Sequence, residues 1–132
     1  MDRVEKIIGL VKFKDDGLIP AIAQDEKSGQ VLMMAFMNRE ALERTLRTGK
    51  MHYYRRSKQR LWFKGEESGK HQIVKALRVN CYEDSLLFLV DQVDAACHEG
   101  YFSCYFREFD ENGDLVIIAE RVFDPSDVYK TT

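Results

Sequence analysis

Two short apolar runs, Leu18–Gln24 and Gln30–Phe36, flank the polar, glycine-closed stretch Asp25-Glu26-Lys27-Ser28-Gly29. Each run has strand length and the stretch between them has hairpin length, so the segment predicts strand, turn, strand. β texture returns after Met51, in His52-Tyr53-Tyr54, Leu61-Trp62-Phe63, Gln72–Val79 and Ser85–Val90. A second hairpin signal joins Tyr101–Phe109 to Leu115–Phe123 through Asp110-Glu111-Asn112-Gly113-Asp114. Pro125 is expected to close the last strand, leaving Ser126–Thr132 loosely held.

One segment, about residues 39–48, carries a complete set of helix signals. Asn38 can cap the first turn, Leu42 and Leu46 share a face, Arg47 falls in the last turn and Gly49 follows as a terminator. A shorter amphipathic helix is expected within Val4–Phe13, broken by Asp15-Asp16-Gly17. The pattern predicts an α+β fold, mostly antiparallel β-sheet with one firm helix. With 132 residues, no repeat and no linker, residues 1–132 are expected to form a single domain.

Composition narrows the function. Twenty Lys and Arg against 22 Asp and Glu give a net charge of -2, unlike the basic surface of a general nucleic-acid binder. No apolar run approaches the roughly 18 residues of a membrane helix, and the charged N-terminus does not read as a secretory signal. Three cysteines cannot form a closed intrachain disulfide set and suit a reducing, intracellular compartment.

Those cysteines are Cys81, Cys97 and Cys104. They either fill a core or act together on a metal. Three thiolates with one open position would form a catalytic rather than a closed structural zinc site. His98, beside Cys97, is placed to take a proton from an activated water, or merely to end a loop. The stretch Tyr53–Lys75 interleaves Arg55, Arg56, Lys58, Arg60, Lys64, Lys70 and Lys75 with Tyr53, Tyr54, Trp62 and Phe63. It fits a single-stranded nucleic-acid platform, a pocket for a small phosphorylated nucleotide, or an ordinary solvated strand face. Glu83 and Asp84, after Cys81, could bind a hard cation or cap a turn.

Taken together, several blocks resemble the phosphoribosyl-AMP cyclohydrolase family. They are Leu18–Asp25, Val31–Leu42, Tyr54–Ser57, Leu61–Gly69 with its Trp62, Lys64, Gly65, Glu66, Ser68 and Gly69, Ala96–Cys104, and Val122–Pro125. The similarity runs colinearly from Leu18 to Tyr129. It implies a cytoplasmic homodimer in the third step of histidine biosynthesis. Its activity would be zinc-dependent hydrolysis of the N1–C6 bond of 1-(5-phosphoribosyl)-AMP. The resemblance also implies zinc held by Cys97 and Cys104 with Cys81 from the partner subunit. His98 would be the catalytic proton shuttle, and Arg55, Arg56, Arg60, Trp62, Lys64, Glu66 and Ser68 the substrate-binding region.

One block departs from the family. Its Asp-Cys-Asp-x-Asp pattern, whose aspartates bind magnesium, is here Asn80-Cys81-Tyr82-Glu83-Asp84. Asp84 alone matches, which puts the magnesium cofactor in question. The departure keeps two alternatives in view: a paralogue acting on another nucleotide, or a non-catalytic zinc-stabilised dimer that binds a nucleotide or RNA.

Overall fold

A computed structural model describes residues 1–128; the expected loose tail falls partly on residues 129–132, outside the described residues. The first helix, α1 (Arg3–Leu10), starts at Asp2, whose side chain accepts from the Glu5 N–H at 2.8 Å. It is shorter than the Val4–Phe13 expectation, because the chain turns extended at Val11.

Strands β1 (Ile19–Asp25) and β2 (Val31–Met37) form the anticipated antiparallel hairpin. Asp25 closes its turn by accepting from both the backbone N–H and the hydroxyl of Ser28. Helix α2 (Arg39–Thr48) follows, with Asn38 accepting from the Ala41 N–H at 2.8 Å and Gly49 left-handed at φ 75°. Both caps are those expected from sequence.

Strands β3 (His52–Arg55) and β4 (Arg60–Phe63) extend the sheet through a single 3₁₀ turn at Arg56–Lys58. Strands β5 (Gln72–Val79) and β6 (Leu86–Gln92) form a second antiparallel pair. The six strands lie in the order β4-β3-β2-β1-β6-β5. All neighbours are antiparallel except β1 and β6, which pair parallel from Ala21↔Leu86 to Asp25↔Val90. The α+β architecture with a mostly antiparallel sheet is thus the observed one.

Helices and sheet share one core: Val4 and Ile8 of α1, Ala41 and Leu42 of α2, and Ile19, Leu32, Tyr53, Phe88 and Val90 from the strands. Each large apolar side chain buried here is worth about 1.5–3 kcal/mol, so this cluster supplies the main driving force for the fold. No helix among the described residues is long and apolar enough to cross a membrane.

The C-terminal third departs from expectation. Its hairpin contains only β7 (Arg107–Phe109) and β8 (Leu115–Ile117), rather than strands over Tyr101–Phe109 and Leu115–Phe123. The flanking residues bond irregularly instead: Ile118 N–H donates to the Phe106 carbonyl, and Val122 N–H to Gly100. Gly100 has φ 95°, and a Cβ there would run into the Phe123 carbonyl, so glycine is required for this close approach. Pro125 opens rather than closes an element, at the first position of the one-turn helix α3 (Pro125–Val128). Asp124 caps that turn by accepting from Ser126.

Candidate active site

The strand ends and loops surround a cleft of about 460 Å³. Met33 reaches it from β2, Arg55 from the end of β3 and Lys58 from the 3₁₀ turn. Arg60 and Trp62 come from β4, and Lys64–Ser68 from the loop after it. The opposite wall is Ala96, His98 and Cys104.

The loop after β4 is shaped by Gly65 at φ 91°. A Cβ there would lie 2.7 Å from His71 Nδ1 and 2.8 Å from the Lys70 carbonyl carbon, so backbone packs directly on backbone. Beneath it, the buried Tyr53 hydroxyl donates to Gln72 Oε1, and Gln72 Nε2 donates to Gln92 Oε1. Gln92 in turn donates to the Val93 carbonyl at 3.0 Å. This chain of buried amides ties Tyr53, which packs against the cleft residue Trp62, to the loop that carries Cys97. Burial also holds the Tyr53 phenol far above its ordinary range, where it remains a neutral donor.

The cleft's surface mixes an aromatic face with exposed cations. Arg55 lies 4.8 Å from the centre of the Trp62 ring. Arg60 is paired with Glu66 at 2.9 Å, and Arg55, Lys58 and Arg60 are all exposed. Arg56 does not join them: it sits over Phe36 at 4.6 Å and faces Asp16 at 3.8 Å, in a neighbouring groove. Lys64 is buried, and its ammonium donates to the Ala96 carbonyl at 2.6 Å.

Across the cleft, one loop carries both Cys97, which is buried, and Cys104, which lines the cleft wall, close enough for their sulfurs to interact electrostatically. Removal from water and then the neighbouring Cys97 push the Cys104 thiol up to about 11, while Lys64 opposes the rise. The pair is presented by a tight loop in which Cys97 N–H donates to Tyr101 and Gly100 N–H to Cys97. Ser103 anchors the far side through its hydroxyl to the Val31 carbonyl at 2.6 Å. Exposed His98 extends from the same loop into the cleft wall.

Cys81 is elsewhere. It occupies the exposed turn between β5 and β6, beyond the Val79↔Leu86 pair, whereas Cys97 follows the opposite end of β6. That strand has seven residues, which at about 3.3 Å each span roughly 20 Å. Among the described residues of one chain, no three His, Cys, Asp or Glu side chains gather to hold a metal.

The turn bearing Cys81 is closed on itself. Asn80 Oδ1 accepts from the backbone N–H groups of Asp84 and Ser85, both at 2.9 Å. Asn80 Nδ2 donates to Asp84 Oδ1 at 2.6 Å, Tyr82 is 74% exposed, and Glu83 faces Lys12 at 3.8 Å.

The sequence model for "Phosphoribosyl-AMP cyclohydrolase" matches residues 33–106, more than half of the chain. A phosphoribosyl-AMP cyclohydrolase of Nitratidesulfovibrio vulgaris is 54% identical over 118 residues, covering 89% of this chain and 93% of the relative. That of Methanococcoides burtonii is 53% identical over 119 residues, covering 90% and 95%. The chain belongs to the phosphoribosyl-AMP cyclohydrolase family.

A further relative, the histidine biosynthesis bifunctional protein HisIE of Thermoanaerobacter pseudethanolicus, is 46% identical over 127 residues. Those residues are 96% of this chain but only 58% of the relative. The cyclohydrolase match contains every residue that lines the cleft and all three cysteines. Of the substrate-binding residues expected from sequence, Arg55, Arg60, Trp62, Lys64, Glu66 and Ser68 converge on the cleft, and Arg56 does not. Met33, Lys58, Glu67 and Ala96 line it without having been assigned to it. Lys58 was visible as part of the basic run. Met33 and Ala96 are apolar residues whose place depends on tertiary packing.

Proposed function

We propose that the chain hydrolyses the N1–C6 bond of 1-(5-phosphoribosyl)-AMP in histidine biosynthesis, using zinc at a site shared between two subunits. The carrying observation is that one tight loop brings Cys97, His98 and Cys104 together at the cleft wall, while Cys81 lies beyond the opposite end of β6. Two thiols presented by one loop supply part of a zinc ligand set. A third thiol from an exposed turn can complete it only from another copy.

The exposed apolar surface supports such a copy. In the β7–β8 hairpin, Phe109 is 71% exposed, with Leu115, Val116 and Ile117 also open and Ile118 exposed just beyond it. A two-stranded hairpin with apolar side chains in solvent gains most by covering them with a second chain.

Zinc held by Cys97, Cys104 and Cys81 of the partner subunit would supply Lewis acidity and a more acidic water. The chain's own groups account for the rest. Trp62 offers a face for the purine, while Arg55, Arg60 and Lys58 offer exposed cations to the two phosphates. His98 takes the proton from the attacking water at an imidazole nitrogen. The water oxygen bonds to C6, the C6–N1 bond breaks and N1 receives a proton. Glu66, by pairing with Arg60, orients that guanidinium toward the cleft.

Magnesium is not assigned a role. Mg²⁺ needs several oxygen ligands in near-octahedral geometry. Asn80 Oδ1 and one Asp84 oxygen are already engaged within the turn, so this donor set does not fit the ion.

Incubation of the purified protein with 1-(5-phosphoribosyl)-AMP tests this function. Ring opening at about one zinc per chain, abolished together with the metal in Cys97→Ser, is the expected result. Zinc-loaded protein that leaves this substrate intact while opening another nucleotide ring would instead favour the paralogue.

A further inference from the structure

The connection between β4 and β5 buries two lysines in different company. Lys70 is 7% exposed and its ammonium meets Asp94 Oδ2 at 2.9 Å, an ordinary ion pair. Lys64 is 6% exposed, yet among the described residues no carboxylate lies within ion-pair distance of it. A buried ammonium without a counter-charge is strongly disfavoured. The partners that Lys64 does have are the Ala96 carbonyl at 2.6 Å, the face of Trp62 at 5.7 Å, and the Cys97 and Cys104 sulfurs within electrostatic reach.

We propose that Lys64 is a positioning residue for the cysteine pair: its ammonium clamps the Ala96 carbonyl, so fixing Cys97, and serves as the counter-charge of the Cys97 and Cys104 thiolates. Resting on the zinc site proposed above, this role differs from direct contact with a substrate phosphate.

Charge bookkeeping shows why such a lysine belongs here. Three thiolates around Zn²⁺ leave one net negative charge, and one ammonium cancels it. Exposed Arg55, Lys58 and Arg60 remain available for phosphate. The geometry also matches a clamp. Lys64 and Ala96 are 32 residues apart and their bond spans the cleft wall. Ala96 and Cys97 are adjacent, and their N–H groups donate to the Phe102 and Tyr101 carbonyls of the same loop. Lys64 is itself held in place, because its N–H donates to Met51 and its carbonyl faces His71 Nδ1 at 3.3 Å.

The test compares zinc-loaded full-length protein with Lys64→Arg and Lys64→Met by chelator competition, with KM for 1-(5-phosphoribosyl)-AMP measured alongside. Lys64→Met should retain zinc about 10–100-fold less tightly, the usual effect of losing an outer-sphere partner. Lys64→Arg, which keeps the charge, should stay within a few-fold of wild type. In metal-free protein, the Ala96, Cys97 and Gly100 amides should exchange faster in Lys64→Met than in wild type. If Lys64→Met does not fold, Lys64→Gln carries the same comparison. Unchanged zinc retention and unchanged exchange, with a raised KM, would overturn the proposal and make Lys64 a substrate contact. Wild-type protein that takes up no zinc would count against the zinc site itself. The exchange rates would then decide the clamp alone, with unchanged rates overturning it.

Discussion

The Tyr53 hydroxyl donates to Gln72 Oε1 at 2.7 Å in the interior, 19 residues away and directly on the path to Gln92 and the loop before Cys97. Tyr53→Phe would leave a buried amide oxygen without its donor, at a cost of about 1–3 kcal/mol. Denaturant unfolding should show that loss. A variant as stable as wild type would mean that the amide chain does not brace the cleft.

Gly65 combines φ 91° with backbone contact to Lys70 and His71. Gly65→Ala introduces both an unfavourable dihedral and a steric overlap, and should destabilise the protein by about 1–3 kcal/mol or displace the loop. Thermal melting together with KM detects either outcome. Loop displacement raises KM by withdrawing Glu66 and Ser68.

The turn at Asn80 gives a prediction specific to this chain. Asn80→Asp with Tyr82→Asp replaces the donating amide by a carboxylate and adds a second one. Magnesium binding, read by calorimetry, should appear in the double variant and be weak in the unmodified protein. Tight binding by the unmodified protein would point to Glu83 as a replacement ligand.

At the N-terminus, the Glu5 N–H, and after it Arg47, hold the Asp2 carboxyl below the usual carboxylate range. Because the folded value is lowered, the tie is complete above about pH 4 and is lost as pH falls through the lowered value. The protection of α1 amides, relative to their intrinsic exchange at each pH, should therefore fall as pH drops through that lowered value in the native protein, and be low already at pH 6 in Asp2→Ala.

Local signals made the β1–β2 hairpin and α2 legible in the sequence, since Gly29, Asn38 and Gly49 act on their immediate neighbours. The parallel pairing of β1 with β6 was not legible, because apolar alternation carries no strand direction and the partners lie some 65 residues apart in sequence. Leu115–Phe123 reads as one strand from its branched apolar residues, but Val122 bonds to Gly100 and ends the pattern. Within the site, the basic run located the cleft but could not separate Arg55, which lines it, from Arg56, which faces only the neighbouring groove. Nor does sequence show that Lys64 points inward while Arg60 points out.

In the proposed dimer, one subunit's Cys81 completes its partner's Cys97–Cys104 pair. Cys81→Ser and Cys97→Ser proteins should each be inactive alone. After mixing and confirmed subunit exchange, half of the dimers are mixed, and each mixed dimer has one site with neither lesion. Activity on 1-(5-phosphoribosyl)-AMP should then recover to about a quarter of wild type. Mixed dimers with no activity at all would contradict the shared site.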